Sequence, residues 1–440
     1  MMPLQVVVTF GKLGKLLPEQ DQPMGGIKTA TLGLCYALAR RGHDVHLFGQ
    51  SPYPGRYDGV TFHDRGEFAR FGEMYQADVL VAIPEVLPLL MPLRARARVV
   101  WSGNIHQMNT HQAADYALLV PWSRDSEREG KKPRRGKRAR LYDLTRFEPL
   151  VDCLIAGSQW QAERVRESLN GLGTEVTVKY LGVPLEHYRG PAPVRDRHRL
   201  VYASEAKRGL HALLRLFPEV RSAVPEAELH IFERKGVDAL PDQDAVQPGV
   251  HWRGRVSKSA LAHEFRSAGL MAYPNQFKET FCLAVAEAQA AGLPVVTSDL
   301  AALSERVSHG VDGFLIPGQP DHPGYGPAFV EAVVRLLRED DLWTRMSAEA
   351  ASKAHRLYNW DTIAAGWEQE LEGLVAGREP IPPRLVTELN LLDPSSLAGA
   401  TDQGASVNVP AEVAEHYLRE AWVSYGYPPN NLPGLPSTRQ

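Results

Sequence analysis

Cysteine is scarce, with Cys35, Cys153 and Cys282 the only three in 440 residues, far apart and without a Cys-x-x-Cys pair. That spacing excludes a disulfide framework or a cysteine zinc site and fits a reducing compartment. Long apolar runs are missing too. The longest, Val79 to Leu93, carries Glu85 and three prolines, short of the roughly 20 residues that a membrane-spanning helix needs. The opening MMPLQVVVTFGKLGK has no charged region ahead of its short apolar run, so a first strand is expected there rather than a signal peptide. No charge sign dominates: 49 Lys+Arg stand against 52 Asp+Glu, a net charge of -3, which argues against a nucleic-acid partner for the molecule as a whole. A Gly-x-Gly-x-x-Gly after the first strand, a Gly-x-x-x-x-Gly-Lys-Ser/Thr loop and a hydrolase nucleophile motif are all absent, which disfavours dehydrogenase, NTPase and hydrolase chemistry. Asp242 and Asp244 form an Asp-x-Asp inside PDQDAVQPG and read as a surface turn, not a metal site.

What is present is an ordinary core-forming composition, 44% apolar and 23% charged, in a length that predicts two or three domains of about 150 residues. Leu4 to Phe10 is apolar and β-branched, Ile27 to Arg41 has helical spacing, and Asp44 to Phe48 is again strand-like, which is one βαβ unit. Strands are expected at Asp78 to Ile83, Arg98 to Trp101, Asp152 to Ala156 and Thr174 to Tyr180, with a helix over Gln159 to Leu169. From Gly182 to Asp196 the periodicity is lost and three prolines appear, as expected of an interdomain linker. A second α/β series follows, with strands at Leu200 to Ala203, Glu228 to Phe232, Val250 to Trp252, Leu270 to Tyr273, Pro294 to Thr297 and Gly313 to Ile316. The expected fold class is α/β, with two Rossmann-like doubly wound domains facing a cleft, because ligands bind beyond the carboxyl ends of such strands. Three helices are expected between Pro327 and Ala376, then a Pro-rich and polar appendage after Arg378 with one amphipathic helix over Pro410 to Tyr425.

Tyr273 to Ser298 is the most informative stretch, reading as strand, loop, helix and strand. Glu279 falls in the loop, before a helix expected to begin near Phe281, and Glu287 falls about two turns into that helix among apolar residues. A carboxylate in such a place needs a partner. Two explanations stand side by side: a capped helix with one salt-bridged glutamate, or a helix N-terminus facing an anion while both carboxylates accept hydrogen bonds from hydroxyls.

The segment ETFCLAVAEAQAAGLPVV resembles the signature of family 4 glycosyltransferases, retaining enzymes of the two-domain GT-B fold. Their pattern is Glu, any residue, Phe, Gly, then a helix bearing a second Glu, followed by Ala-x-Ala-x-Gly-x-Pro-Val-Val. The resemblance implies that Glu279 holds donor-sugar hydroxyls, that Glu287 holds the nucleotide ribose, and that backbone around Phe281, Cys282, Leu283 and Ala284 faces sugar and diphosphate. Cys282 stands where the family usually has glycine. MGGIKTATLGLCYALARRGHDVHLF is similar to the family's opening unit, which makes Gly25 and Gly26 the pair that lets backbone approach the diphosphate. VDCLIAGSQWQAERV with YLGVPLEHY is similar to the close of the first domain. In LVYASEAKRGL, Arg208 takes the place of the clamp cation before glycine, the earlier clamp arginine falls at Ala203, and Lys207 or Ser204 is expected to substitute. His106, in WSGNIHQMNT, is the resemblance's candidate catalytic residue beside the donor sugar, together with Glu279, and His111 competes with it.

The resemblance covers roughly residues 4 to 375. It implies an acceptor-side domain at 1–182, a linker at 183–199, a donor domain at 200–358, a helix at 359–377 returning to the first domain, and a tail at 378–440. The expected activity is transfer of a sugar from a UDP- or GDP-sugar to an acceptor hydroxyl with retention, with no metal and no cofactor beyond the nucleotide sugar. Two other readings fit the same residues: an epimerase of nucleotide sugars, or a weakly catalytic nucleotide-sugar-binding partner subunit, suggested by Cys282, Ala203 and the tail. Ser123 to Arg140 holds nine basic and three acidic residues. Either it is a solvated loop, or residues 124–140 meet an anionic acceptor or membrane surface, each basic group contributing about 1 kcal/mol near anionic lipid. The resulting expectation is a cytoplasmic enzyme, peripheral to the membrane under the second reading of the basic run.

Overall fold

The computed structural model describes residues 2–10, 17–18, 21–83, 87–102, 119–121, 138–140, 150–169, 173–191, 193–233, 247–381, 398–400, 406–408 and 422–427. His106, His111, the Asp242 to Asp244 turn, nearly all of the basic run and most of the tail lie outside them.

The first domain is built from β1 (Gln5–Phe10), α1 (Gly26–Arg40), β2 (Asp44–Gly49), β3 (Gly55–Tyr57), β4 (Val60–Asp64), α2 (Phe68–Met74), β5 (Gln76–Ile83), β6 (Arg94–Trp101), β7 (Leu119–Pro121), β8 (Arg138–Arg140), β9 (Cys153–Ala156), α3 (Gln159–Leu169) and β10 (Glu175–Val178). Eight of these strands form one sheet in the order β10-β9-β6-β5-β1-β2-β4-β3. All its pairings are parallel except β3 with β4, while β7 and β8 form a separate antiparallel pair. The β3–β4 hairpin was not anticipated, because GRYDGVTFHD offers few alternating apolar positions.

The second domain has β11 (Arg199–Tyr202), α4 (Leu210–Ala223), β12 (Glu228–Ile231), β13 (Val250–Trp252), α5 (Lys258–Ser267), β14 (Leu270–Tyr273), α6 (Leu283–Ala290), β15 (Val295–Ser298), α7 (Leu303–Arg306), β16 (Gly313–Ile316), α8 (Tyr325–Arg338), α9 (Asp340–Leu357) and α10 (Trp360–Val375). Its six strands are all parallel, in the order β13-β12-β11-β14-β15-β16. Counted within the domain this is 3-2-1-4-5-6, the doubly wound order whose direction reverses between β11 and β14. The strands LMAY and VVTS are buried at every position, as strands covered by helices on both faces must be.

The chain crosses between domains twice, and the crossings lie side by side: the Val183 N–H donates to the Tyr358 carbonyl at 2.9 Å. Val183 and Leu185, in the stretch expected to be a linker, are buried in the core that also holds Trp360 and Trp367. Trp360 is wedged between Gly33 and Gly182, where an added Cβ would sit 2.3 and 2.4 Å from its ring, so neither position tolerates a side chain without moving the crossing. α10 then packs along α1 of the first domain, fixed by Glu368, which pairs with both Arg41 and His43.

Described pieces of the tail also lie on the first domain. Ile381 pairs with Ala95 beside β6, Tyr425 accepts from the Ala69 N–H at 3.0 Å, and Trp422 and Tyr425 are buried. Of the helix expected over Pro410 to Tyr425, only Trp422 to Tyr425 falls within the described residues.

Candidate functional site

α6 determines the site, and its composition explains its place. It is apolar all round except for Glu287 and Gln289, the mark of a helix with no solvent face. Leu283, Ala286 and Ala290 belong to the core under the first sheet, whereas Val285, Ala288 and Ala291 belong to the core of the second. α6 is therefore a wedge between the two cores. It starts at Leu283 rather than near Phe281, because Cys282 at its N-cap is left-handed, with φ 71° and ψ 77°. Glu287 consequently sits about one turn into the helix, not two.

A cavity of about 650 Å³ opens between the domains at the carboxyl ends of β1, β11 and β14. Gly25, Gly26, Lys28, Ser102 and Gln161 line it from the first domain; Ala203, Ser204, Arg208, Arg255, Lys258, Glu279, Phe281, Cys282, Leu283, Ala284 and Glu287 line it from the second. The structure thus brings together the expected site residues that it describes, with one exception. Lys207 is outside the cavity wall, its exposed ammonium paired with Glu205 at 3.0 Å.

Both carboxylates are buried, Glu279 at 6% and Glu287 at 3% exposure, and each has a cation. The Arg208 guanidinium donates to Glu279 Oε1, and the Tyr273 hydroxyl donates to the same oxygen at 2.9 Å. Burial works to lower the Arg208 pKa, but the Glu279 carboxylate outweighs it and holds the group above its ordinary value. Burial, then Glu279, push the Tyr273 phenol well up, so it stays a neutral donor at neutral pH. Ser204 Oγ lies 3.3 Å from that phenol. Arg208 reaches inward because Gly209 follows it with φ +123°, where a Cβ would lie 2.0 Å from the Pro274 carbonyl oxygen; only glycine fits there.

Glu287 Oε1 accepts from Lys258 Nζ at 2.6 Å. Sequence reasoning missed Lys258 as the partner that Glu287 needs. Ser257 caps α5 through the Ala260 N–H, which places Lys258 at the first position of that helix and aims it across at α6. Next to it, Asp21 of the first domain accepts from the Ser259 N–H at 2.8 Å and from Ser259 Oγ at 2.6 Å; these bonds hold its carboxyl below the usual range. Another interdomain contact joins α7 to α3: Glu305 accepts from the Gln159 and Trp160 N–H groups at 3.1 and 2.7 Å. Beside it the buried Arg306 lies 4.0 Å from the ring centroid of Tyr180 and 4.4 Å from that of Phe281. The Phe281 ring therefore packs into the domain junction at the edge of the cavity.

The result is a cleft with two buried carboxylates able to accept from hydroxyls, several cations, and the first N–H groups of α6, which have no carbonyl partner within the helix. Residues 197–339 match the family model described as Glycosyl transferases group 1. Over those residues the second domain is similar to the group 1 glycosyl transferases. Among curated proteins, the chain is 33% identical to a phosphatidyl-myo-inositol mannosyltransferase of Mycobacterium leprae over 162 residues, 37% of this chain and 42% of that protein. It is 28% identical to a D-inositol 3-phosphate glycosyltransferase of Corynebacterium glutamicum over 216 residues, 49% of this chain and 47% of that protein. The chain spans less than half the length of either relative. Among solved structures, sucrose-phosphate synthase of Thermosynechococcus elongatus superposes with a TM-score of 0.61 at 16% identity, covering 84% of this chain and 99% of that one. The two-sheet arrangement is the GT-B fold. Within the matched segment, Glu279 and Glu287 stand eight residues apart, at the positions where the sequence resembles the two signature glutamates.

Proposed function

We propose that the protein transfers a sugar from a nucleotide diphosphate sugar, a UDP- or GDP-sugar, to an acceptor hydroxyl with retention of anomeric configuration. The observation that carries this reading is the convergence of Glu279, Glu287, Arg208 and the α6 N-terminus on one interdomain cavity. Glu279 accepts from donor-sugar hydroxyls and Glu287 from ribose hydroxyls. Arg208 turns its fork from Glu279 to phosphate oxygens as the donor enters. Chemistry requires stabilisation of the departing diphosphate, which Arg208, Lys258 and the α6 N–H groups supply as preorganised positive ends. No metal is assigned to this step. The acceptor hydroxyl approaches on the face that the diphosphate leaves, and the leaving phosphate oxygen takes its proton.

The acceptor docks against the first domain. Two relatives are named for inositol-bearing substrates, so a free inositol phosphate and an inositol lipid are the first acceptors to try. On its charge alone, the run at 124–140 supports peripheral contact with an anionic membrane from the cytoplasmic side; among the described residues, no helix is long and apolar enough to cross one. Co-sedimentation with anionic vesicles, unchanged after neutralising the run, would remove that part of the reading.

The test is incubation of the purified protein with a panel of nucleotide sugars and these acceptors, following released nucleoside diphosphate and the anomeric signal of the product. Acceptor-dependent release with a retained anomer supports the proposal. Epimerised donor without acceptor, or an inverted product, overturns it.

A further inference from the structure

We propose that Glu228, His230 and His251 form a binding site for a divalent transition-metal cation of the zinc class, at the outer edge of the second sheet. None of the three lines the interdomain cavity, and the edge strand β13 supplies one of them. The site follows from strand register. His230 on β12 stands directly opposite His251 on β13, and Glu228 precedes His230 by two residues, which puts it on the same face of the strand.

The geometry fits a cation better than it fits the side chains alone. Glu228 Oε2 lies 3.6 Å from His230 Nε2 and 3.7 Å from His251 Nε2, beyond hydrogen-bond range. One ligand atom from each residue falls within 4.8 Å of the others. Bonds of about 2.0–2.1 Å to a tetrahedral zinc ion separate the ligand atoms by roughly 3.4 Å, so small side-chain rotations close the site. His230 is 6% exposed, and its Nδ1 has no hydrogen-bond partner. A buried imidazole with one nitrogen unpartnered and the other just out of reach of a carboxylate is under-satisfied, and a bound ion is one of the standard reasons for such a group.

Charge and access agree. The neighbouring arginines have carboxylate partners of their own, Arg199 in Asp196 and Glu264, each at 3.8 Å, and Arg253 in Glu264 at 3.5 Å, while Glu228 faces the two imidazoles. The side chains of His251 and Glu228 are 43% and 44% exposed, so an ion enters from solvent and keeps water in its fourth position. Two imidazoles and one carboxylate select zinc-like ions over magnesium or calcium, which favour oxygen ligands.

Untagged protein stripped with a chelator and titrated calorimetrically with zinc chloride tests the site without any donor or acceptor, so its result is independent of the transferase reading. One zinc per chain is expected, with affinity falling at least about tenfold in His251→Ala and in Glu228→Gln, and with no heat from magnesium. Cobalt(II) should give visible absorption that His251→Ala abolishes. Both replaced side chains are partly exposed, so circular dichroism can confirm that the variants remain folded. Zinc affinity unchanged in both variants would place the metal among the other histidines and overturn the proposal, as would the absence of binding at micromolar zinc.

Discussion

Arg208 and Glu279 stand 71 residues apart in the chain and meet side by side, because they follow β11 and β14, the neighbouring strands between which the second sheet reverses direction. Sequence reasoning assigned them to different parts of the donor, the diphosphate and the sugar. Their pairing makes each the other's counter-charge.

Replacing Glu279 with glutamine keeps the shape and removes the charge. Turnover should fall at least about 100-fold, while affinity for the nucleoside diphosphate alone changes less than about tenfold, because the proposed function has the carboxylate contact the sugar and not the diphosphate. Arg208→Met should do the reverse to binding, weakening the diphosphate by roughly 1.5–3 kcal/mol, the usual strength of a hydrogen bond to a charged group. Calorimetry beside steady-state kinetics separates the two; equal losses of binding in both variants would contradict the assignment.

Lys258 and Glu287 form a pair whose side chains are 11% and 3% exposed. Removing one member leaves a buried charge, so Lys258→Met and Glu287→Gln should each cost about 3–5 kcal/mol, with the double variant costing less than the sum. Urea unfolding midpoints of the four proteins measure the coupling; strictly additive losses would show that the pair is not interacting.

Cys282 holds a left-handed backbone that costs a β-carbon residue about 1–2 kcal/mol. Cys282→Gly should stay within about 1 kcal/mol of the parent, relief of strain offsetting the lost buried thiol, and should retain turnover. Cys282→Val should lose more than about 2 kcal/mol, since a β-branched residue resists this conformation. Thermal unfolding and kinetics on both variants provide the check.

Burial pushes the Cys35 thiol up to about 12 and the Cys153 thiol up to about 11, from an ordinary value of 9.0. A raised native pKa contributes stability that is complete below the unfolded pKa and is lost as pH rises toward the native one. Under reducing conditions, the guanidinium midpoint should therefore fall from pH 9 upward relative to its value at pH 8. A midpoint that rises over that range would contradict the burial of these thiols.

Much of this was legible in the sequence because central strands of the second domain, such as Leu270 to Tyr273, are short apolar runs and the segment from Glu279 to Val296 is contiguous. Contacts made by distant residues were not. Lys258 reads in sequence as an ordinary helix-start lysine, and only folding brings it across 29 positions to Glu287. The start of α6 was misplaced because nothing in the order Phe281, Cys282, Leu283 announces a left-handed cysteine. Tyr425 on Ala69 and Glu305 on the start of α3 join segments whose local patterns carry no trace of each other.

The most direct test of the account is binding of UDP, GDP, ADP and TDP, with their sugar conjugates, followed by thermal stability of the wild-type protein and the Arg208→Met and Glu287→Gln variants. At about 100 times its dissociation constant, a ligand of the native state adds roughly 2.7 kcal/mol, a shift of a few degrees. A shift selective for one base, reduced in both variants, is expected. No shift with any nucleotide, or a shift untouched by either substitution, would contradict a donor site in this cleft.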